Sequence, residues 1–348
     1  MHEMHEIEEK YKNIKQRGEY VSSIEKFIEN LKTRADTARK NRSADKETMR
    51  KQFIDMLGFP LNCYCHENYM KEKIGKTNVI TEPVTEDGDM IATRYQLEVM
   101  PDFWFSGILY EKKEKGDEKN ALVIAQHGGG GTSEIVGSLV FNSANYNHMV
   151  KRILKKGIIA FAPQLLLWDS NVYGNSGYDR THIDQTLKQF GGSITALEIF
   201  CIMRSIDYFA DLDYVDENKI GMAGPSYGGM YTLYTAAADT RIKVALSSIW
   251  FQKGAGHYWP DTSHFNQYSL FSTEDVGSLV LPRKLYVELG NRDELFPLEG
   301  AVEYVKKLTE KAENENCAAS LKTKIFDGGH EFDKADDGVN FFIENLMG

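Results

Sequence analysis

The chain has 348 residues, 42% of them hydrophobic, 26% charged and 11% aromatic, which is enough apolar material for a substantial core and too much aromatic content for a disordered polymer. Its formal net charge of −10 repels nucleic acid and anionic membrane over most of the surface, so neither is expected as a partner and a small-molecule substrate is. Four cysteines in so long a chain make no disulfide framework and fit a cytoplasmic location, and residues 1–15, with seven Lys or Glu side chains and no apolar run, read neither as a signal peptide nor as a membrane span.

Residues 1–58 read as a helical N-terminal extension. Val21, Ile24, Phe27, Ile28 and Leu31 recur at spacings of three and four, so one helix face must pack on something. A second helix follows Ser43 as N-cap, runs through Met49, Phe53, Ile54 and Leu57, and stops at Gly58 with Pro60 beyond. This arm is expected to be a helical layer on the main domain or a contact within a homo-oligomer. The Cys63-Tyr64-Cys65-His66 cluster lacks a second ligand pair at zinc spacing and is not read as a metal site.

Residues 59–348 read as one catalytic domain. From about Thr77, alternating Tyr95, Leu97 and Val99 and the run 103–110 predict antiparallel edge strands. Apolar runs of the kind buried on both faces at 121–125, 157–162, 219–223, 243–248, 284–289 and 321–326 then alternate with helical stretches near 144–156, 193–210, 228–238, 299–313 and 335–347. Repeated strand-helix units imply a mostly parallel, doubly wound sheet covered on both faces. The stretches 164–192 and 249–277 break this rhythm, are rich in aromatic and polar residues, and each follow a strand at its C-terminal end. Ligands of open α/β sheets bind at that edge, so these loops are the expected pocket wall, with Trp168, Trp250 and His257 as candidate substrate contacts.

The strand 219–223 runs into Gly224-Pro225-Ser226-Tyr227-Gly228-Gly229 and then a helix. This is G-x-S-x-G in the strand-turn-helix setting that makes a nucleophile elbow, with Ser226 at the tip of a turn too sharp for a Cβ at 224 or 228. Upstream, Gln126-His127-Gly128-Gly129-Gly130-Gly131 ends the first central strand. A serine hydrolase needs two backbone N–H donors on the oxyanion, one from the residue after the nucleophile and one from such a loop. These are assigned to Tyr227 and Gly129, with Gly128 or Gly130 as alternatives, and His127 is expected to order the loop rather than move protons. A phosphate-cradling loop would instead require a Lys-Ser/Thr ending, which Thr132-Ser133-Glu134 lacks.

Downstream, two further strands end in Gly290-Asn291-Arg292-Asp293-Glu294 and in Asp327-Gly328-Gly329-His330. The order nucleophile, acid, histidine assigns Asp293 and His330, with Glu294 or Glu288 as rival acids and His257 or His264 as rival bases.

On these motifs, together with Leu281-Pro282-Arg283 and Phe296-Pro297, residues 45–345 resemble the α/β-hydrolase superfamily, and within it the dienelactone-hydrolase-like and acetylxylan-esterase-like branch. The resemblance implies the α/β-hydrolase fold and ester cleavage through an acyl-serine, with no metal or organic cofactor. Dienelactone hydrolases themselves carry a cysteine where Ser226 stands. A carboxylic-ester hydrolase acting on a small or sugar-linked acyl group is therefore the leading expectation. The others are a serine peptidase of prolyl-oligopeptidase type, for which the chain has no propeller-like repeats, and a non-catalytic binding protein on a hydrolase fold.

Overall fold

A computed structural model describes residues 6–7, 10, 13–42, 45–66, 77–114, 118–139, 143–155, 157–167, 177–252 and 259–348. Three antiparallel strands come first: β1 (Val79–Asp87), β2 (Met90–Met100) and β3 (Phe103–Lys112). They are followed by β4 (Asn120–Ala125), β5 (Ile158–Pro163), β6 (Val215–Pro225), β7 (Ile242–Ser248), β8 (Lys284–Gly290) and β9 (Leu321–Phe326). Among the described residues these form one sheet in the order β1-β2-β3-β5-β4-β6-β7-β8-β9, with β3 antiparallel to β5 and the remainder parallel. Every residue of β4 and of β5 is buried, as a strand covered on both faces must be.

The helices are α1 (Asn13–Lys40), α2 (Lys46–Leu57), α3 (Leu61–His66), α4 (Ser133–Gly137), α5 (Met149–Ile153), α6 (Arg180–Gln189), α7 (Ile194–Ala210), α8 (Tyr227–Ala238), α9 (Gln267–Leu270), α10 (Thr273–Val280), α11 (Leu298–Asn314) and α12 (Asp337–Met347). Two apolar clusters flank the sheet: one takes side chains from α2, α3, α7, α8, α10 and α11, the other from α4, α5 and α12. This is the α/β-hydrolase fold. Among the described residues, no helix is long and apolar enough to cross a membrane.

The two N-terminal helices behave differently. Phe53, Ile54 and Leu57 of α2 join the larger cluster with α3, α7 and α8. Its N-cap is Asp45, whose carboxylate accepts from Thr48 N, and not Ser43, which lies outside the described residues. A carboxylate there also meets the positive end of the helix dipole. In α1, by contrast, Val21, Ile24, Phe27, Ile28 and Leu31 face solvent, so their spacing marks a helix face that no described residue covers. Near its C-terminal end α1 meets the domain, where Ala35 is buried, Arg39 pairs with Asp275, and Arg39 Nη1 donates to Tyr268 O.

Smaller differences are local. The helix expected over 144–156 is a 3-10 turn, Ala144–Tyr146, and the short α5, separated by Asn147 and His148 in left-handed backbone. The aromatic loops contain α6 in the first and the turn Pro260–Thr262, α9 and α10 in the second. Cys63 and Cys65 are half-buried, and His66 Nε2 pairs with Asp55 at 3.1 Å.

Candidate active site

β6 and β4 lie side by side at the centre of the sheet, so the two glycine-rich turns that follow them come together. Ser226 has φ 59° and ψ −128°, a backbone conformation that a side-chain-bearing residue holds only at a cost of about 1–3 kcal/mol. The surroundings enforce it. Ser226 N donates to Ser248 O of β7, and α8 starts at the next residue with Met230 N donating to Ser226 O. A Cβ on Gly224 would meet Gln126 O at 2.6 Å, and one on Gly228 would meet the same oxygen at 2.3 Å. The elbow is therefore wedged against the end of β4, and glycine at both positions follows from that contact.

The upstream loop is pinned from two sides. His127 is fully buried, with Leu165 N donating to Nε2 at 3.0 Å and Nδ1 lying 2.9 Å from Gly128 O. An amide can only donate, so Nδ1 carries the proton and donates to Gly128 O. Burial holds the ring neutral, its pKa pulled down to about 4, and His127 ties the loop to the chain leaving β5. Gly128 N donates to Tyr146 Oη at 2.9 Å, so this amide is already committed within the fold.

Asp293 and His330 meet because the loops after β8 and β9 are laced together. Asn291 N donates to Phe326 O, Arg292 N to Gly328 O, and Gly328 N to Asn291 Oδ1. Asp293 Oδ1 accepts from Leu295 N and Phe296 N, both at 2.9 Å, and Oδ2 lies 2.9 Å from His330 Nδ1. The carboxylate is thus fixed by backbone and turns one oxygen to the imidazole, so His330 Nδ1 is the donor and Nε2 is left able to accept a proton. Among the described residues Ser226 Oγ makes no hydrogen bond to His330, and such bonds often tighten only when substrate is bound. The rival acids stand elsewhere. Glu294 is exposed, and Glu288, its carboxyl pushed up to about 7 by burial, accepts from Asp333 N. Of the rival bases, His264 is buried in the second loop and its pKa is pulled down to about 3 by burial, whereas His257 lies outside the described residues.

Between serine and histidine runs an aromatic wall. Tyr227 stacks on Trp259 at 5.0 Å, Trp259 and Trp250 each meet Phe296 at 5.5 Å, and Phe296 lies edge-on to His330 at 5.1 Å. Trp250 is buried behind this wall and Trp259 is partly exposed. Trp168 lies outside the described residues. Beneath the wall Arg180 of α6 pairs with Asp261 at 2.8 Å and with Glu198 of α7 at 2.9 Å, while Tyr227 Oη donates to Asp261. Both aromatic loops are thereby tied to the helix that follows Ser226.

A sequence profile of the dienelactone hydrolase family matches residues 105–340. The chain belongs to the dienelactone hydrolase family. It is 23% identical over 232 residues to YtaP of Bacillus subtilis strain 168, to which a hydrolase activity is ascribed, covering 64% of this chain and 76% of that protein. Among solved structures it is similar to a glucuronoyl esterase from Solibacter usitatus, with a TM-score of 0.59 at 13% identity over 79% of this chain and 87% of that one. It is also similar to acetyl xylan esterase 1 from Thermoanaerobacterium sp. JW/SL YS485, with a TM-score of 0.54 at 14% identity over 88% and 100% of the two chains.

Sequence reasoning passed over several residues that shape this family member's site. Tyr146 holds Gly128, and its neighbour Asn145 grips the histidine loop, Nδ2 donating to His330 O at 3.2 Å and the backbone carbonyl accepting from Phe332 N. Arg180 and Asp261 are equally unmarked, because they sit on connections that carry no motif.

Proposed function

We propose that this protein is a serine carboxylic-ester hydrolase acting on a small acyl or acetylated carbohydrate ester. Ser226 Oγ attacks the ester carbonyl as His330 Nε2 takes its proton, and Asp293 holds the imidazole in the right tautomer and stabilises the imidazolium. The N–H groups of Tyr227 and Gly129 receive the oxyanion. The alcohol leaves with the proton from His330, and water releases the acyl group from Ser226 by the same route in reverse. The observation that carries this reading is the strained Ser226 elbow on the same sheet edge as a hydrogen-bonded Asp293–His330 pair.

The substrate class rests on the wall of Tyr227, Trp259 and Phe296, since aromatic faces with a few polar groups suit acyl chains and sugar rings alike. The acetyl xylan and glucuronoyl esterase names of the structural neighbours support it. The reading includes residues 59–348 as the catalytic unit, a cytoplasmic location, and a homo-oligomer joined through the N-terminal helices. Acetyl and longer p-nitrophenyl esters and acetylated xylo-oligosaccharides test the chemistry: wild type should turn them over, and Ser226→Ala should lose about a millionfold in kcat. Undiminished hydrolysis in Ser226→Ala, or failure of the wild type to be labelled by a fluorophosphonate, refutes it.

A further inference from the structure

The helix α1 carries an exposed apolar seam that nothing among the described residues covers. Its 28 residues span about 42 Å, and among the described residues its last turns touch the domain through Ala35, Asp36, Arg39 and the segment that includes Tyr268. Over residues 14–31 the apolar side chains fall on a strict seven-residue repeat. Ile14, Val21 and Ile28 occupy one position, Ile24 and Leu31 the position three residues on, and Tyr20 and Phe27 flank the first. In heptad terms these are β-branched a residues with Ile and Leu at d, widened by aromatic g positions. All seven are exposed, from 40% at Ile24 to 69% at Tyr20.

Together they put roughly 700 Å² of apolar surface into water, above the patch of about 300–600 Å² that a monomer usually carries and close to the roughly 800 Å² that each partner contributes to a stable interface. The other positions mix Glu19 and Glu29 with Lys15 and Lys26 on the opposite face and place Glu25 and Lys32 at the flank of the seam. A helix lying on an anionic membrane needs a basic face instead. A regular heptad is, in addition, complementary to itself: knobs at a and d find holes between a and d residues of an identical helix.

We propose that α1 is a dimerisation arm that pairs antiparallel with α1 of a second copy of this chain across a two-fold axis near residues 22 and 23. The midpoint of the uncovered stretch sets that axis. Val21 then faces the partner's Ile24, Ile14 faces the partner's Leu31, and each pair occurs twice, as a two-fold axis requires. The parallel alternative stacks Arg17, at a d position, on its own equivalent and brings two catalytic domains to the same end of the helices. In the antiparallel pair Arg17 lies beside the partner's Ile28, along which its stem can run, and the domains stand at opposite ends. The proposal deepens the homo-oligomer part of that reading and stands apart from the ester chemistry.

The test is light scattering on the full chain at tens of micromolar, with wild type and an Ile24→Glu/Ile28→Glu variant. Wild type should have twice the 39.6 kDa chain mass and the variant a single chain mass. Because both side chains are exposed on the isolated chain, the variant should keep the wild-type circular dichroism and thermal midpoint at high dilution, and the same ester turnover per chain. A spin label at exposed Thr37, with Cys63, Cys65 and Cys317 changed to serine, should report an axial separation of about 44 Å between subunits from the 1.5 Å rise per residue. A monomeric wild type overturns the proposal, as does a variant that stays dimeric or a wild type that binds anionic vesicles as a monomer. A label separation below about 20 Å overturns the antiparallel arrangement.

Discussion

Asp293 illustrates how a single side chain is made to serve. Two backbone amides hold one oxygen, and the imidazole of His330 meets the other. In Asp293→Asn the amide oxygen can keep the backbone donors, but the NH₂ then faces Nδ1 and forces the ring proton onto Nε2, the nitrogen that accepts from Ser226 in the proposed reaction. Ester turnover should fall by about 10⁴ with little change in thermal midpoint; a loss under tenfold would show that Asp293 does not set the tautomer. Tyr146→Phe probes the oxyanion loop. Removing the hydroxyl leaves Gly128 N–H buried and unpaired, which costs about 1–3 kcal/mol, and kcat should fall while KM for a small ester stays near wild type. Stability and kcat both unchanged would remove Tyr146 from the site's support.

At the scale of elements, the junction of β6 with α8 is closed backbone to backbone against the end of β4. A Cβ at 228 would lie 2.3 Å from Gln126 O, and backbone cannot give way as a flexible side chain can, so Gly228→Ala should destabilise by about 1–3 kcal/mol and displace the oxyanion loop with a matching loss of kcat. Wild-type kinetics in that variant would mean the elbow has slack. The two aromatic loops depend on a different device. Arg180 sits between Glu198 and Asp261, all three buried, and Arg180→Met strands two carboxylates without their cation. Removing one partner of such a set costs about 3–5 kcal/mol, readable as a lower urea midpoint, whereas a pair that contributes only surface Coulomb energy would shift it by under about 1 kcal/mol.

For the whole molecule, two buried histidines tie stability to pH. Burial draws His127 to about 4 and His264 to about 3, below the ordinary value near 6.5. The unfolded chain therefore binds protons first as pH falls, and the stability these groups contribute, complete above pH 6.5, is lost progressively below it, by about 2 kcal/mol per histidine at pH 5. Urea midpoints for wild type and His264→Gln between pH 7 and pH 5 check this: the variant should lose less stability on acidification, and identical pH slopes would show that His264 titrates normally.

Fold and reaction class were legible in the chain alone because both are written in local patterns. Apolar runs alternating with helical ones require a covered parallel sheet, and Gly224 to Gly228, His127 to Gly131, Asp293 and His330 each end a strand, so chain order and sheet direction place them on one edge. Side chains without local pattern were decided by packing. Tyr146 and Asn145 gained their partners only when a 3-10 turn came to rest between two loops, and Arg180 and Asp261 come from loops 81 residues apart in sequence. Periodicity could show that α1 has an apolar face, but whether that face is covered depends on where the helix stands relative to the sheet. A sequence fixes which surfaces are apolar, and only the tertiary arrangement determines which of them meet.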